Sequence, residues 1–155
     1  MTSAFAVAAG DGVTLPAPIG GEVTIKADTR QTNGAMTVLQ FAVPPKAGPG
    51  LHSHLRDDEL WYVLAGEFRF KAGDDMLYAS TGGLAFGPRG LPHAFQNVGD
   101  EPGRLLVVTT PAGIERFFEQ VAELTGPVDA ARIAGIGQPN WLDFTGPPIG
   151  QSDPL

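Results

Sequence analysis

Three histidines occur in the 155-residue chain, and all of them sit in two short motifs. The first is His52-Ser53-His54-Leu55-Arg56-Asp57-Asp58-Glu59, closing at Gly66; the second runs from Gly82 through Pro88-Arg89-Gly90-Leu91-Pro92-His93-Ala94-Phe95-Gln96-Asn97. Residues two apart on a strand share a face, so His52 and His54 can present both imidazoles to one point. Glu59 lies at an odd offset from His54 and would face away on a continuous strand. The polar Arg56-Asp57-Asp58 segment is expected to reverse the chain and bring Glu59 inward again. His93 follows the turn-forming Pro88-Arg89-Gly90 and alternates with Phe95 and Asn97. Three imidazoles and one carboxylate make a site for a divalent transition ion: Fe, Ni, Mn, Co, Cu or Zn. Four protein ligands on an ion that takes five or six leave room for substrate or dioxygen. Asp57 and Asp58 are the rival carboxylates, and both are expected in a solvated turn.

The elements that must carry these residues read as short strands. Met36 to Val43 is rich in strand formers and stops at Pro44-Pro45, which cannot continue a ladder. Glu59–Leu64 and Glu67–Lys71 flank Ala65-Gly66, a hairpin signal. Phe68 and Phe70 alternate with polar residues as on a half-buried strand. Gly73-Asp74-Asp75 and Gly82-Gly83 mark further turns, and Arg104 to Thr110 is a last apolar run. The pattern predicts a sandwich or barrel from about residue 22 to 110, within one domain spanning 1–155. Beyond it, Ile114, Phe117, Phe118, Val121 and Leu124 recur at helical spacing before Gly126-Pro127. This predicts a helix packed on the outside of the barrel. A second short helix is expected over 129–133, with Asp129 near its start, and an extended tail from Gly135.

Composition limits the partners. The formal charge is −7, and the ten basic residues are scattered, so no basic stripe is available for nucleic acid. There is no cysteine, which excludes disulfides, thiol nucleophiles and thiolate ligands. No basic residue precedes Lys26 and no apolar run approaches the roughly 20 residues of a membrane span, so a soluble cytoplasmic protein without a secretory signal is expected. The outer face of the Met36–Val43 strand is a surface that one domain leaves uncovered, and a homodimer is expected there.

The two motifs resemble those of the cupin superfamily. The first family motif is a glycine, five residues, His-x-His, three or four residues, Glu, six residues and Gly. Here it is met by His52, His54, Glu59 and Gly66. Gly82, Pro88, Gly90, His93 and Asn97 match every fixed position of the second. One departure is clear: the leading glycine of the first motif falls on Lys46. The resemblance implies an all-β fold, a double-stranded β-helix barrel, with His52, His54, Glu59 and His93 as metal ligands. The segment Pro111 to Glu119 and the tail with Asp143-Phe144-Thr145-Gly146-Pro147-Pro148 resemble the C-terminal part of small cupins similar to quercetin 2,3-dioxygenases.

Alternation places Trp61 with Glu59 and Phe95 with His93, so Trp61 and Phe95 are expected to line the substrate pocket. Phe68 and Phe70 are expected to fill the barrel. No Arg or Lys cluster accompanies the ligands, which argues against a sugar-phosphate substrate. The favoured function is a metal-dependent oxidoreductase, a dioxygenase acting on a small aromatic or enolic molecule, with Glu59 also as catalytic base. The alternatives are an oxygen-independent isomerase, cyclase or lyase on a β-keto or polyketide-like substrate, and a small-ligand-binding protein without turnover.

Overall fold

The computed structural model describes residues 3–155, so Met1 and Thr2, at the head of the mildly apolar N-terminal stretch, lie outside it. Ten strands occupy the first two thirds of the chain: β1 Val13–Pro16, β2 Glu22–Ala27, β3 Thr37–Val43, β4 Gly50–His54, β5 Asp58–Ala65, β6 Glu67–Ala72, β7 Asp75–Ser80, β8 Leu84–Gly87, β9 His93–Asn97 and β10 Gly103–Thr110. They are followed by helix α1 Glu115–Ala122, helix α2 Ala130–Gly137, a 3-10 turn Gln138–Asn140, strand β11 Leu142–Pro148 and the short helix α3 Ile149–Ser152. The strands form two antiparallel sheets, ordered β1-β2-β3-β10-β5-β8 and β11-β4-β9-β6-β7, in a two-layer barrel arrangement.

The period-two pattern decides which side chains enter. On β3, Thr37, Leu39, Phe41 and Val43 are buried, and on β10 Gly103, Leu105, Val107 and Thr109 are buried opposite them. A one-residue slip would expose this whole set, so burial itself fixes the register. Phe68 and Phe70 fill the barrel from β6, each 1% exposed.

The expected Ala65-Gly66 hairpin does not form. β5 pairs with β10 and β8, whereas β6 pairs with β9 and β7, so the chain crosses from one sheet to the other at Gly66. Gly66 has φ +101°, a backbone that glycine adopts without the clash a side chain would meet. The hairpin lies one connection later, where Gly73-Asp74 joins β6 to β7.

The tail is also more ordered than expected. Asp129 caps α2, its carboxylate accepting from the Arg132 amide at 2.9 Å, and the helix runs on to Gly137. The chain then returns as β11, antiparallel to β4, and so becomes the edge strand of the sheet that carries all three histidines. No helix among the described residues is long and apolar enough to cross a membrane.

Candidate metal centre

β4 delivers two of the four ligands. His52 stands directly opposite His93 across the β4–β9 ladder, which aims both rings into one space. His54 ends the same strand. The main chain then crosses to the other sheet, and Glu59 enters as the second residue of β5, opposite Gly87 and Thr109. The turn before His93 is pinned to the first motif, because the Gly90 amide donates to the His54 carbonyl at 2.8 Å. Gly90 itself has φ +81°, which explains a glycine at that motif position.

The donor atoms of His52, His54, Glu59 and His93 all lie within 4.8 Å of one another, and the residues are buried or nearly so. Glu59 Oε2 is 3.1 Å from His54 Nε2 and 3.0 Å from His93 Nε2. Backbone carbonyls orient two of the rings from behind: His52 Nδ1 donates to Gly50 O at 2.8 Å and His93 Nδ1 to Leu91 O at 2.9 Å. That tautomer leaves Nε2 of each as the free donor, which suits a divalent ion. The residues present therefore fit the expected metal.

The electrostatics are those of a tight buried cluster. Burial, reinforced by His54 and His93, lowers His52 from about 6.5 to about 3. Burial alone would also lower His54, but the negative Glu59 and Asp57 outweigh it and raise His54 to about 9. Burial would raise Glu59, yet the positive His54 and its hydrogen bond, with His93 beside them, hold it well below the ordinary carboxylate range. Both shifts favour the charged forms of the His54–Glu59 pair, whose Nε2 and Oε2 lie 3.1 Å apart.

The two rival carboxylates have separate fates. Asp58 is near the surface, as expected, but it is not merely solvated. It accepts from the Arg89 amide at 2.9 Å and pairs with the guanidinium at 3.0 Å, tying the first motif to the second; these bonds lower its pKa to about 2. Asp57 corrects the reading of a solvated turn: it is 1% exposed and lies behind His54.

His52, His54 and Glu59 open into a cavity of about 540 Å³, within the usual range for small-molecule sites. Phe95 lines it, together with Phe41, Ile114, Phe117, Phe118 and Phe144. Trp61 does not. It shares the inward face of β5 with Glu59, but it is 2% exposed and packs behind the ligands, its ring against His93 at 5.0 Å and Phe70 at 5.4 Å. The α1 stripe is likewise not an outer covering, since Ile114, Phe117 and Phe118 face the cavity. Phe144 was not foreseen as a site residue. It stands opposite His52 across the β4–β11 ladder and stacks on its ring at 5.1 Å and 29°.

The motif departure at Lys46 leaves the site intact. Lys46 adopts φ +62°, the left-handed backbone a glycine would take, and its ammonium is held by Val98 O at 2.5 Å and Asp100 at 3.0 Å. Asn97, the last motif residue, is structural: its amide donates to Val43 O, Pro44 O and Glu101 O and so joins the end of β3 to the loop after β9.

Residues 39–109 match the family model described as Cupin domain. Among curated proteins, the oxalate-binding protein of Thermotoga maritima is 29% identical over 76 residues, covering 49% of this chain. The match spans 63% of that relative, less than two thirds of its length. Among solved structures, KdgF from Halomonas sp. superposes with TM-score 0.64 at 18% identity, covering 74% of this chain and 98% of that one. The polyketide cyclase RemF from Streptomyces resistomycificus gives TM-score 0.59 at 24% identity, over 70% of this chain and 80% of that one. An oxalate decarboxylase of Bacillus subtilis gives 0.57 at 24%, over 64% of this chain and 28% of that one. At these identities the likeness establishes the fold.

Proposed function

We propose that the chain is a cupin acting as a metal-dependent dioxygenase of a small aromatic or enolic, flavonol-like molecule. The observation that carries this reading is the pairing of a three-histidine, one-carboxylate cluster with a cavity walled by phenyl rings. No lysine or arginine lines that cavity among the described residues. A dianion such as oxalate would find no cationic side chain for its second carboxylate, whereas a planar, uncharged ring system would be covered on several sides.

A divalent transition ion held by His52, His54, Glu59 and His93 supplies Lewis-acid charge for an enolate and, when redox-active, an electron route to dioxygen. The chain's own residues do the rest. Phe95, Phe117 and Phe118 exclude water and orient the ring. Phe144 and His52 form a stacked pair that presents one flat edge to it. Glu59, kept ionised by its histidine neighbours, is the one carboxylate at the cavity floor able to take the proton of a substrate hydroxyl. In a dioxygenase both oxygen atoms end in the product as a ring or C–C bond is cleaved.

A second reading is an oxygen-independent cyclase, isomerase or lyase, favoured by the same aromatic walls, which suit a polyketide ring. A panel of flavonols and catechols, offered to protein loaded with Fe²⁺, Mn²⁺, Ni²⁺ or Co²⁺ in an oxygen electrode, separates the readings. Stoichiometric oxygen uptake with substrate loss supports the dioxygenase. Turnover that persists anaerobically transfers the assignment to the second reading, and saturable binding without turnover makes the protein a ligand-capturing cupin.

A further inference from the structure

We propose that Asp57 is a positioning residue of the metal centre: its carboxylate takes the Nδ1–H of His54 and thereby turns Nε2 of that ring toward the ion. This rests on the metal-centre reading and adds to it a residue outside the four ligands. A buried carboxylate is costly unless partnered, and Asp57 is 1% exposed in the short link between β4 and β5. One of its oxygens is accounted for, since Oδ1 accepts from Arg56 Nε at 3.0 Å. The other, Oδ2, lies 3.6 Å from His54 Nδ1.

That nitrogen is the one ring position in the cluster left over. His52 and His93 each have a backbone carbonyl behind Nδ1, but His54 Nδ1 is buried without a hydrogen-bond partner. Its separation from Asp57 is too long for a hydrogen bond as it stands, and less than an ångström of ring movement closes it. Asp57 cannot swing away to avoid the role. Arg56 holds it, and Arg56 Nη2 is itself fixed on Ala112 O at 2.9 Å. Gly113 makes room for that guanidinium, because a Cβ there would lie 2.3 Å from Nη2. The chain thus spends a buried acid, an arginine and a glycine on one ring nitrogen. A carboxylate behind a ligating imidazole fixes its tautomer and raises its basicity, and losing such a partner typically weakens metal binding about 10- to 100-fold.

The test uses Zn²⁺ on the full-length protein, with wild type, Asp57→Leu and Asp57→Asn compared. Zinc affinity is read by competition with a chelating dye, apo-protein Tm by calorimetry, and the histidine tautomers by nitrogen NMR of the zinc-loaded form. The expected result is zinc affinity reduced about 10- to 100-fold in Asp57→Leu and less in Asp57→Asn, with apo Tm kept. The resonances of His54 should move while those of His52 and His93 stay. Unchanged affinity and an unchanged His54 tautomer in Asp57→Leu would overturn the inference. So would an affinity loss matched by apo destabilisation and by movement of all three histidines. Wild type that binds no Zn²⁺ would instead overturn the metal-centre reading and this inference with it.

Discussion

The buried His54–Glu59 ion pair makes metal uptake depend on pH in a way ordinary histidines would not. His54 is raised to about 9, so the apo protein carries its proton at neutral pH and an incoming ion must expel it. Affinity therefore climbs with pH and levels off only above that value. The deprotonated fraction of His54 grows from about 3% at about pH 7.5 to about 24% at about pH 8.5, a gain of roughly eightfold in apparent affinity. His52, lowered to about 3, is neutral throughout and adds nothing to the slope. Three unperturbed imidazoles of pKa about 6.5 would together gain only about 1.3-fold over the same interval. Mn²⁺ is the suitable probe, because the water on aqueous zinc ionises near pH 9. Titration calorimetry in two buffers of different ionisation enthalpy gives both readings at once: the affinity, and about one proton released per ion at about pH 7.5. A flat affinity between the two pH values with no proton release would show that the pair does not exist and refute the reasoning.

Three further outcomes are expected. Gly87→Ala puts a methyl 2.7 Å from Trp61 Cη2 and 3.3 Å from His93 Nδ1, so it should cost about 1–3 kcal/mol and release metal more readily. Wild-type Tm and metal content would contradict that. Phe144→Ala removes the ring stacked on His52 and should weaken a bound flavonol by about 0.5–1.5 kcal/mol while Mn²⁺ affinity stays near wild type; fluorescence titration of each ligand checks both halves. The proposed homodimer now has a better-placed surface than the outer face of β3. Tyr62, Leu84 and Phe86 are 37%, 55% and 50% exposed and adjoin across β5 and the edge strand β8. Light scattering should give twice 16.2 kDa for wild type and a monomer for Phe86→Arg, and a wild-type monomer at every concentration would rule the dimer out.

The His52, His54, Glu59 and His93 cluster was legible because it obeys local rules: a strand pair two residues apart, a polar link that turns Glu59 inward, and a Pro-Gly turn before His93; that this link changes sheets rather than reversing onto a neighbouring strand was not. What failed was everything requiring knowledge of the opposite face. Gly66 signals a change of direction, but nothing local says whether the flanking strands pair with each other or with distant ones. Alternation puts Trp61 inward correctly, yet inward is divided between cavity and core, and depth along β5 decides between them. Asp57 reads as a turn residue by composition, and nothing local shows that Arg56, which bonds it, is itself held by Ala112 and Gly113, more than fifty residues on. Phe144 was invisible for the same reason, since only β11 pairing with β4 carries it to His52.

The return of the chain as β11 has a consequence for how such a protein can diversify. All four ligands sit between residues 52 and 93, whereas Ile114, Phe117, Phe118 and Phe144, much of the cavity wall, come after residue 110. The candidate ligands and more than half of the cavity wall thus lie on separate stretches of the gene. Insertions, deletions or exchanges downstream of Thr110 can recut that part of the wall while the His52, His54, Glu59 and His93 cluster stays in place. Phe144, stacked on a ligand, is the point at which the two histories must stay compatible.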